Sequence, residues 1–217
     1  MANSRSVNVA CPNCSKESTF IMWQNVSSIE DPMLKQQILD GTLFDFKCPY
    51  CEYSVALHYD LLFNMADRGV MLHLINDEEQ AKNVPAMIEA QEAALPKEAQ
   101  ESAKKYIHRI VPDILSLREK AIIFEHDLDD RVIELMKVVY CGQFEEQKGI
   151  TVQHIFFSAN GENWQFELFG ESELLAIAPF DKNLYTSLQH APKRKLKPIR
   201  NDRRYFVDRE WAVKSIE

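Results

Sequence analysis

Long apolar runs are missing from this chain of 217 residues. The longest, such as residues 121–124 and 174–178, fall far short of the roughly 20 apolar residues that a membrane-spanning helix needs. Residues 1–20 are too polar for a signal peptide. The sequence therefore predicts a cytoplasmic protein without a membrane segment.

Glycine is also scarce, and its 6 residues leave little material for loops that cradle phosphates. The nucleotide-binding patterns G-x-x-x-x-G-K-[ST] and G-x-G-x-x-G are missing. So are the metalloprotease pattern H-E-x-x-H and the hydrolase pattern G-x-S-x-G. Because no catalytic pattern marks the chain, we favour a non-enzymatic protein.

Excess positive charge is confined to one short segment. The net charge is −8, with balances of −4 over residues 1–77, −9 over 78–190 and +5 over 191–217. An acidic surface repels phosphate backbones, so broad affinity for nucleic acid is not expected. The exception is residues 193–204, which contain seven basic side chains: Lys193, Arg194, Lys195, Lys197, Arg200, Arg203 and Arg204. This segment is either a nucleic-acid contact or a solvated linker that pairs with acidic side chains.

Cysteine is sparse as well, yet four of the five cysteines fall in two matching patterns. Cys11-Pro-Asn-Cys14 and Cys48-Pro-Tyr-Cys51 are both C-P-x-C, and 33 residues lie between them. Two residues between ligands let a tight turn direct both sulfurs at one point, and proline stiffens that turn. Two such turns complete a tetrahedron of thiolates, at about 2.3 Å per sulfur. These four cysteines are therefore predicted to hold one metal ion.

Zinc is the metal that this pattern favours, and iron stays open because a rubredoxin-like centre uses the same ligands. Two disulfides are disfavoured in a reducing cytoplasm, and a redox pair needs a single C-x-x-C at a helix start. Four thiolates fill the coordination shell, so the ion is expected to be structural. The fifth cysteine, Cys141, follows an apolar run and is predicted to be a buried small hydrophobe.

Changes of pattern divide the chain into three regions. Residues 1–77 are predicted to form a zinc-ribbon module, residues 78–142 a helical region, and residues 143–217 a β-rich region that contains the basic segment 193–204. The predicted class is α+β. It combines an N-terminal antiparallel sheet with an inserted helix, a helical middle and a C-terminal antiparallel β-meander.

The zinc-ribbon module carries one clear helix signal between its two cysteine pairs. Asp31 is placed to cap this helix, Pro32 takes its first position and Gly41 ends it. Residues 53–63 are predicted to form one long strand, which residues 70–75 then pair with.

Helical periodicity is expected over residues 78–95, broken by Pro85, and again over residues 98–111. In the last region Asn160-Gly161 is a strong hairpin signal between alternating segments.

Several segments together resemble the bacterial CpXC-domain family. They are CPNC at 11–14, IEDPMLKQQILDGTLF at 29–44, CPYC at 48–51, ALHYD at 56–60 and EKAIIFEHDLDDRVIELMK at 119–137. The likeness spans roughly residues 8 to 140 and implies a metal-binding domain of unestablished molecular function. Such knuckles often carry glycine after the second cysteine. Ser15 and Glu52 stand there instead, at a small cost for a left-handed backbone.

Two polar clusters offer further chemistry. If residues 53–63 form one strand, alternation puts His58 and Asp60 on one face, near His73 of the returning strand. Asp60 would then orient His58 as a base in a hydrolase, although a polar pair on a solvent face is favoured.

The second cluster is acidic and lies between two predicted helices. Its members are Glu125, His126, Asp127, Asp129 and Asp130. A divalent cation site is one interpretation, and helix capping is favoured over it.

Three functions follow in order of preference. The first is a non-enzymatic zinc-ribbon binding or scaffold protein with a protein partner or self-association. The second is a nucleic-acid-associated regulator that uses the ribbon and residues 193–204. The third is the hydrolase.

Overall fold

The structure is a computed structural model that describes residues 2–191 and 196–216. Its chain divides into two compact units, Met1–Ala121 and Ile122–Glu217. The predicted α+β class is confirmed, with an N-terminal sheet, a helical middle and a C-terminal antiparallel sheet. The region boundaries after residues 77 and 142 stay a prediction, because they concern independent folding. Among the described residues, no helix has both the length and the hydropathy for crossing a membrane.

The first unit contains a five-stranded sheet and a two-stranded sheet. The five strands, in spatial order, are β1 (Asn3–Ala10), β2 (Glu17–Ser27), β5 (Leu61–Met65), β6 (Val70–Leu74) and β7 (Ile107–Val111). The small sheet pairs β3 (Asp45–Lys47) with β4 (Ser54–Ala56). The helices that begin in this unit are α1 (Pro32–Asp40), α2 (Glu78–Ala94), α3 (Lys97–Ala103) and α4 (Ile114–Glu125).

The large sheet is mixed, and the fully antiparallel arrangement predicted for it is wrong. Strand β2 runs parallel to β5, and β6 runs parallel to β7. Parallel neighbours need long crossover connections. The first crossover contains α1 and the β3–β4 hairpin, and the second contains α2 and α3. Both cysteine pairs therefore lie before β5, at the ends of two separate hairpins.

Alternation in β5 and β6 fixes the buried face of the large sheet. Both strands show the pattern of buried residues separated by half-buried ones. The buried side chains of one face are Leu61, Phe63, Met65, Val70, Leu72 and Leu74. Successive residues of a strand point to opposite faces, so His73 projects from the other face.

Three predicted elements differ from the observed ones. The long strand over residues 53–63 is two short strands, β4 and β5, in different sheets. The helix over residues 98–111 ends at Ala103, and its second half is β7. Branched side chains in β7 pair with β6, where burial outweighs local helical periodicity. Helix α2 continues through Pro85, although proline removes one backbone donor and its ring crowds the carbonyl one turn earlier.

The predicted ends of α1 are largely confirmed. Pro32 occupies its first turn, and Gly41 ends it with a φ of 82°. Asp31 does not cap it, because its carboxylate accepts the Ser27 backbone N–H at 3.1 Å. Arg118 provides a hydrogen-bond donor for one carbonyl at the C-terminal end of α1, because its Nε–H donates to the carbonyl of Leu39 at 2.7 Å.

The second unit contains the predicted antiparallel three-stranded meander, and helices pack against it. The helices are α5 (Asp130–Lys148), α6 (Lys182–Gln189) and α7 (Arg209–Ile216), with a short 3₁₀ turn at Ile199–Asn201. The strands are β8 (His154–Asn160), β9 (Asn163–Phe169) and β10 (Leu174–Pro179), with β9 in the centre. The hairpin predicted at Asn160-Gly161 joins β8 to β9, and Gly161 takes a φ of 59°.

A buried ion-pair network ties α5 to the C-terminal part of this unit. The Arg131 guanidinium donates to Asp129 at 2.5 Å and to Asp202 at 2.6 Å. Burial opposes the charge of Arg131, but the two carboxylates outweigh it and raise its pKa. Arg204 also pairs with Asp202, although its side chain is 47% exposed whereas that of Arg131 is 2% exposed.

This contrast gives a matched pair of variants. Arg131→Met should lower the free energy of unfolding by about 3 kcal/mol or more, because it removes the buried guanidinium from Asp129 and leaves Asp202 with the exposed Arg204 as its ion-pair partner. Arg204→Met should cost less than about 1 kcal/mol, since exposed pairs contribute little. Urea unfolding followed by circular dichroism measures both. Equal losses of unfolding free energy in the two variants would contradict the larger contribution proposed for Arg131.

Candidate metal centre

The first cysteine pair forms the turn between β1 and β2. The backbone N–H of Cys11 donates to the carbonyl of Lys16 at 3.0 Å, and that of Ser15 donates back to Cys11 at 2.8 Å. These two bonds close a tight turn at the end of the hairpin. Both thiols of the pair are thereby held on one side of it.

The second cysteine pair forms an equivalent turn between β3 and β4. The Cys48 N–H donates to the carbonyl of Tyr53 at 2.9 Å, and the Glu52 N–H donates to the carbonyl of Cys48 at 3.0 Å. Each bond has its counterpart in the first turn at the same spacing. The two knuckles therefore share one backbone design.

The residue after the second cysteine takes a left-handed conformation in both knuckles. Ser15 and Glu52 each have a φ of 59°. This agrees with the expectation that a position often held by glycine carries a non-glycine residue here at small cost. Identical values at two equivalent positions indicate that the turn geometry imposes this backbone on both.

The four sulfurs converge from the two hairpins. Their Sγ atoms all lie within 4.8 Å of one another. Cys11 and Cys51 are 3.6 Å apart, and Cys14 and Cys48 are 3.7 Å apart. Sulfurs about 2.3 Å from a tetrahedral ion would be separated by about 3.8 Å. The measured separations fit that tetrahedron, so the cluster can hold a metal ion.

A small apolar cluster surrounds the sulfurs. Cys11 and Cys48 are buried, whereas Cys14 and Cys51 are half-buried. Phe46 is buried beside them, and its ring meets that of Phe20 edge to face at 6.2 Å. Beyond the sulfurs, this contact joins the β1–β2 hairpin to the β3–β4 hairpin.

A hydrogen bond from a side-chain amide distinguishes Cys51 from the other three cysteines. The Asn13 side-chain amide donates to its sulfur at 3.5 Å. This bond and the backbone N–H of Tyr53 lower the pKa of Cys51 to about 6. The Lys16 backbone N–H lowers the pKa of Cys14, but burial and the neighbouring thiols outweigh it and raise it to about 11. The Cys51 thiol therefore loses its proton more readily than the Cys14 thiol.

Asn13 is a residue that the sequence analysis missed. Its signal is the polar side chain at the variable position of C-P-x-C, where the second knuckle carries Tyr50. Tyr50 is exposed and lies under the Lys16 ammonium, 4.8 Å from its ring centre.

His58 and Asp60 do not form the predicted arrangement on a strand. Both are exposed and lie between β4 and β5, so the alternation argument does not apply. The Asp60 carboxylate accepts both the backbone and the side-chain N–H of Asn76, each at 3.0 Å. His73 contacts His108 of β7 instead, with Nε2 and Nδ1 3.1 Å apart.

The acidic cluster around the start of α5 has the favoured capping role. The Asp129 carboxylate accepts the Arg131 backbone N–H at 3.0 Å and is the N-cap of the helix. Over residues 2–191 and 196–216, the four cysteines are the group of possible metal ligands that the structure brings together. Cys141 lies in the core of the second unit, where burial raises its pKa, as expected for a small hydrophobe.

The basic segment lies partly outside the described residues. This applies to Lys193, Arg194 and Lys195. Within the described part, Arg204 pairs with Asp202 and lies over the Trp211 ring, 5.5 Å from its centre.

The sequence analysis did not predict that α5 carries a stripe of buried charged side chains. Asp130, Glu134 and Lys137 recur at helical spacing and are almost fully buried. Lys137 pairs with Glu134 at 3.1 Å. Charged residues at i, i+4 and i+7 usually indicate a solvated face, so the pattern gave no signal of burial.

Comparisons with known proteins agree with the cysteine geometry. The family model described as CpXC protein matches residues 9–137, more than half of the chain. Neither the curated proteins nor the solved structures contain a match. The chain therefore belongs to the CpXC family.

Proposed function

We propose that this protein is a non-enzymatic binding or scaffold protein that uses one structural zinc ion to hold two hairpins together. One observation carries the proposal: four sulfurs from separate hairpins converge at the spacing of a tetrahedral ion. The proposed ligands are Cys11, Cys14, Cys48 and Cys51. Four thiolates complete the shell and leave no position for a catalytic water.

Zinc is proposed over iron because structural sites with four thiolates most often hold it, although the sulfur spacing suits both. The proposed compartment is the cytoplasm, where reducing conditions keep the thiols available for the ion. We propose a protein partner or self-association, since acidic charge prevails over residues 1–190.

The nucleic-acid alternative depends on the basic segment. Arg204 is already paired with a carboxylate, which weakens this alternative. Replacing Lys197, Arg200 and Arg203 by glutamine should leave any retention on RNA or DNA unchanged in a mobility-shift assay at low salt. A salt-dependent shift that these replacements abolish would favour the nucleic-acid regulator over the scaffold.

Metal content is the first test of the proposal. Elemental analysis of protein purified without added metal should find about one zinc ion per chain. Refolding with cobalt(II) should give the intense visible absorption of tetrahedral thiolate ligation. Cys48→Ser should lose the ion and, with it, up to about 10 kcal/mol of metal-derived folding free energy of the zinc-ribbon module.

Cys141→Ser is the matched control, because Cys141 is buried in the other unit. It should keep the ion and the cobalt spectrum. Equal metal content in Cys48→Ser and the unmodified protein, with the ribbon still folded, would refute a four-thiolate site. Iron in place of zinc would keep the ligand set and change only the metal.

Asn13 provides a second, finer prediction. Asn13→Ala removes the side-chain hydrogen bond to the Cys51 sulfur and should weaken metal affinity by about tenfold or more. Tyr50→Ala, at the equivalent position of the other knuckle, should change the affinity much less. Competition with a chromophoric chelator measures both. Indistinguishable affinities would show that Asn13 does not support the site.

A further inference from the structure

A second cluster of titratable side chains lies on the large sheet, away from the cysteines. His73 of β6 and His108 of β7 have ring centres 5.4 Å apart and planes inclined by 26°. Their facing nitrogens, Nε2 and Nδ1, are 3.1 Å apart. The ring centres are farther apart than the facing nitrogens by about twice the distance from a ring centre to its own nitrogen. The two nitrogens therefore point at each other almost in line. This is the geometry of two rings that share one proton.

The outer nitrogen of His108 faces a carboxylate of α2. Nε2 of His108 lies 3.7 Å from Oε1 of Glu92, and these side chains are only 9% and 12% exposed. The carboxylate favours a proton on that nitrogen and leaves Nδ1 as an acceptor. His73 then donates its Nε2–H to His108. The Glu92 carboxylate, the His108 ring and the His73 ring thus form one chain of polar contacts.

The rest of α2 is held to the unit by few buried groups. Of its 17 residues only Ala81 and Ile88 are buried. Its start is fixed by Asp77, whose carboxylate accepts the Gln80 backbone N–H at 2.8 Å. Near its other end, Glu92 supplies a polar contact to the sheet.

We propose that Glu92, His108 and His73 form a proton-operated clasp that holds the C-terminal half of α2 on the sheet. With one proton between the rings the clasp is closed. With both rings protonated, two imidazolium ions face each other at close range, the shared hydrogen bond is lost, and the clasp opens.

The surroundings set the direction of the pH response. Glu92, with Glu89 one turn earlier, contributes negative charge from α2, and Arg109 follows His108 on β7 with its side chain on the opposite face. Burial, and then the neighbouring His108, lower the pKa of His73 from 6.5 to about 4. The stability from neutral His73 is therefore complete above pH 6.5 and is lost as pH falls toward 4.

The in-line geometry also separates this clasp from a two-histidine metal site. Lone pairs that bind one ion must converge on it at an angle, which brings the ring centres closer for the same nitrogen separation. An ion at this pair would also have to displace the shared proton. Metal binding here is thus an outcome that the experiment can reveal.

The direct test is a pH titration of the histidine ring nitrogens by ¹⁵N NMR on the metal-loaded full chain. The signals should show a proton on Nε2 of both rings near pH 7. His73 should stay neutral as the pH falls below 6.5, because its pKa is lowered to about 4. Independent titration of both rings near pH 6.5 would overturn the clasp, and so would loss of both ring protons on addition of zinc.

Hydrogen exchange tests the effect on α2. His73→Gln keeps a donor toward His108 but cannot be charged. Between pH 7 and pH 5, protection of the amides after Ile88 should fall about tenfold more in the unmodified protein than in His73→Gln. Glu92→Gln should lower protection already at pH 7.

The exposed His58→Gln is the matched control and should behave as the unmodified protein. Metal content, measured in each sample, separates opening of the clasp from metal loss at the cysteines. If the pH response of α2 is the same in His73→Gln, the clasp is excluded whether or not the cysteines bind zinc.

Discussion

The convergence of four sulfurs joins two hairpins that share no hydrogen-bonded ladder. The β1–β2 hairpin belongs to the large sheet and the β3–β4 hairpin forms its own. Apart from the sulfurs, apolar side chains around Phe46, among them the Phe20 ring, and the Lys16 ammonium over the Tyr50 ring connect the two hairpins. The ring pair and the cation–π contact each contribute on the order of 1 kcal/mol, so a metal ion at the cysteine cluster would be the strongest single link between the hairpins.

The crossover from β2 to β5 explains why such a link is needed. Residues 28–60 leave one strand and return beside it in parallel, with α1 and the small sheet in between. Closing a connection of this length costs conformational entropy. A metal ion shared by Cys14 and Cys48 would shorten the free part of that connection and offset this cost.

Local signals predicted the parts of the fold that depend on local chemistry. The two C-P-x-C patterns, the ends of α1 at Pro32 and Gly41 and the hairpin at Asn160 are features of a few neighbouring residues. The family likeness across residues 8–140 was visible for the same reason, and the match over 9–137 confirms it.

Pairing between segments that are far apart in the sequence could not be predicted from local patterns. Residues 107–111 fit a helical pattern locally and become a strand only because β6 lies beside them. The same pairing brings His108 to His73, which no spacing in the sequence indicates. The predicted strand position of His58 was wrong for a different reason, because the long strand that was expected to carry it is interrupted between β4 and β5.

The ion pair between Arg131 and Asp202 has a consequence for synthesis on the ribosome. The two residues are 71 positions apart, so the guanidinium is made well before its deepest partner. Until Asp202 has emerged, closing the second unit would bury a cation supported by Asp129 alone, which is unfavourable. Packing of that unit is therefore expected to wait for the later residues, whereas both cysteine pairs emerge early and can close first.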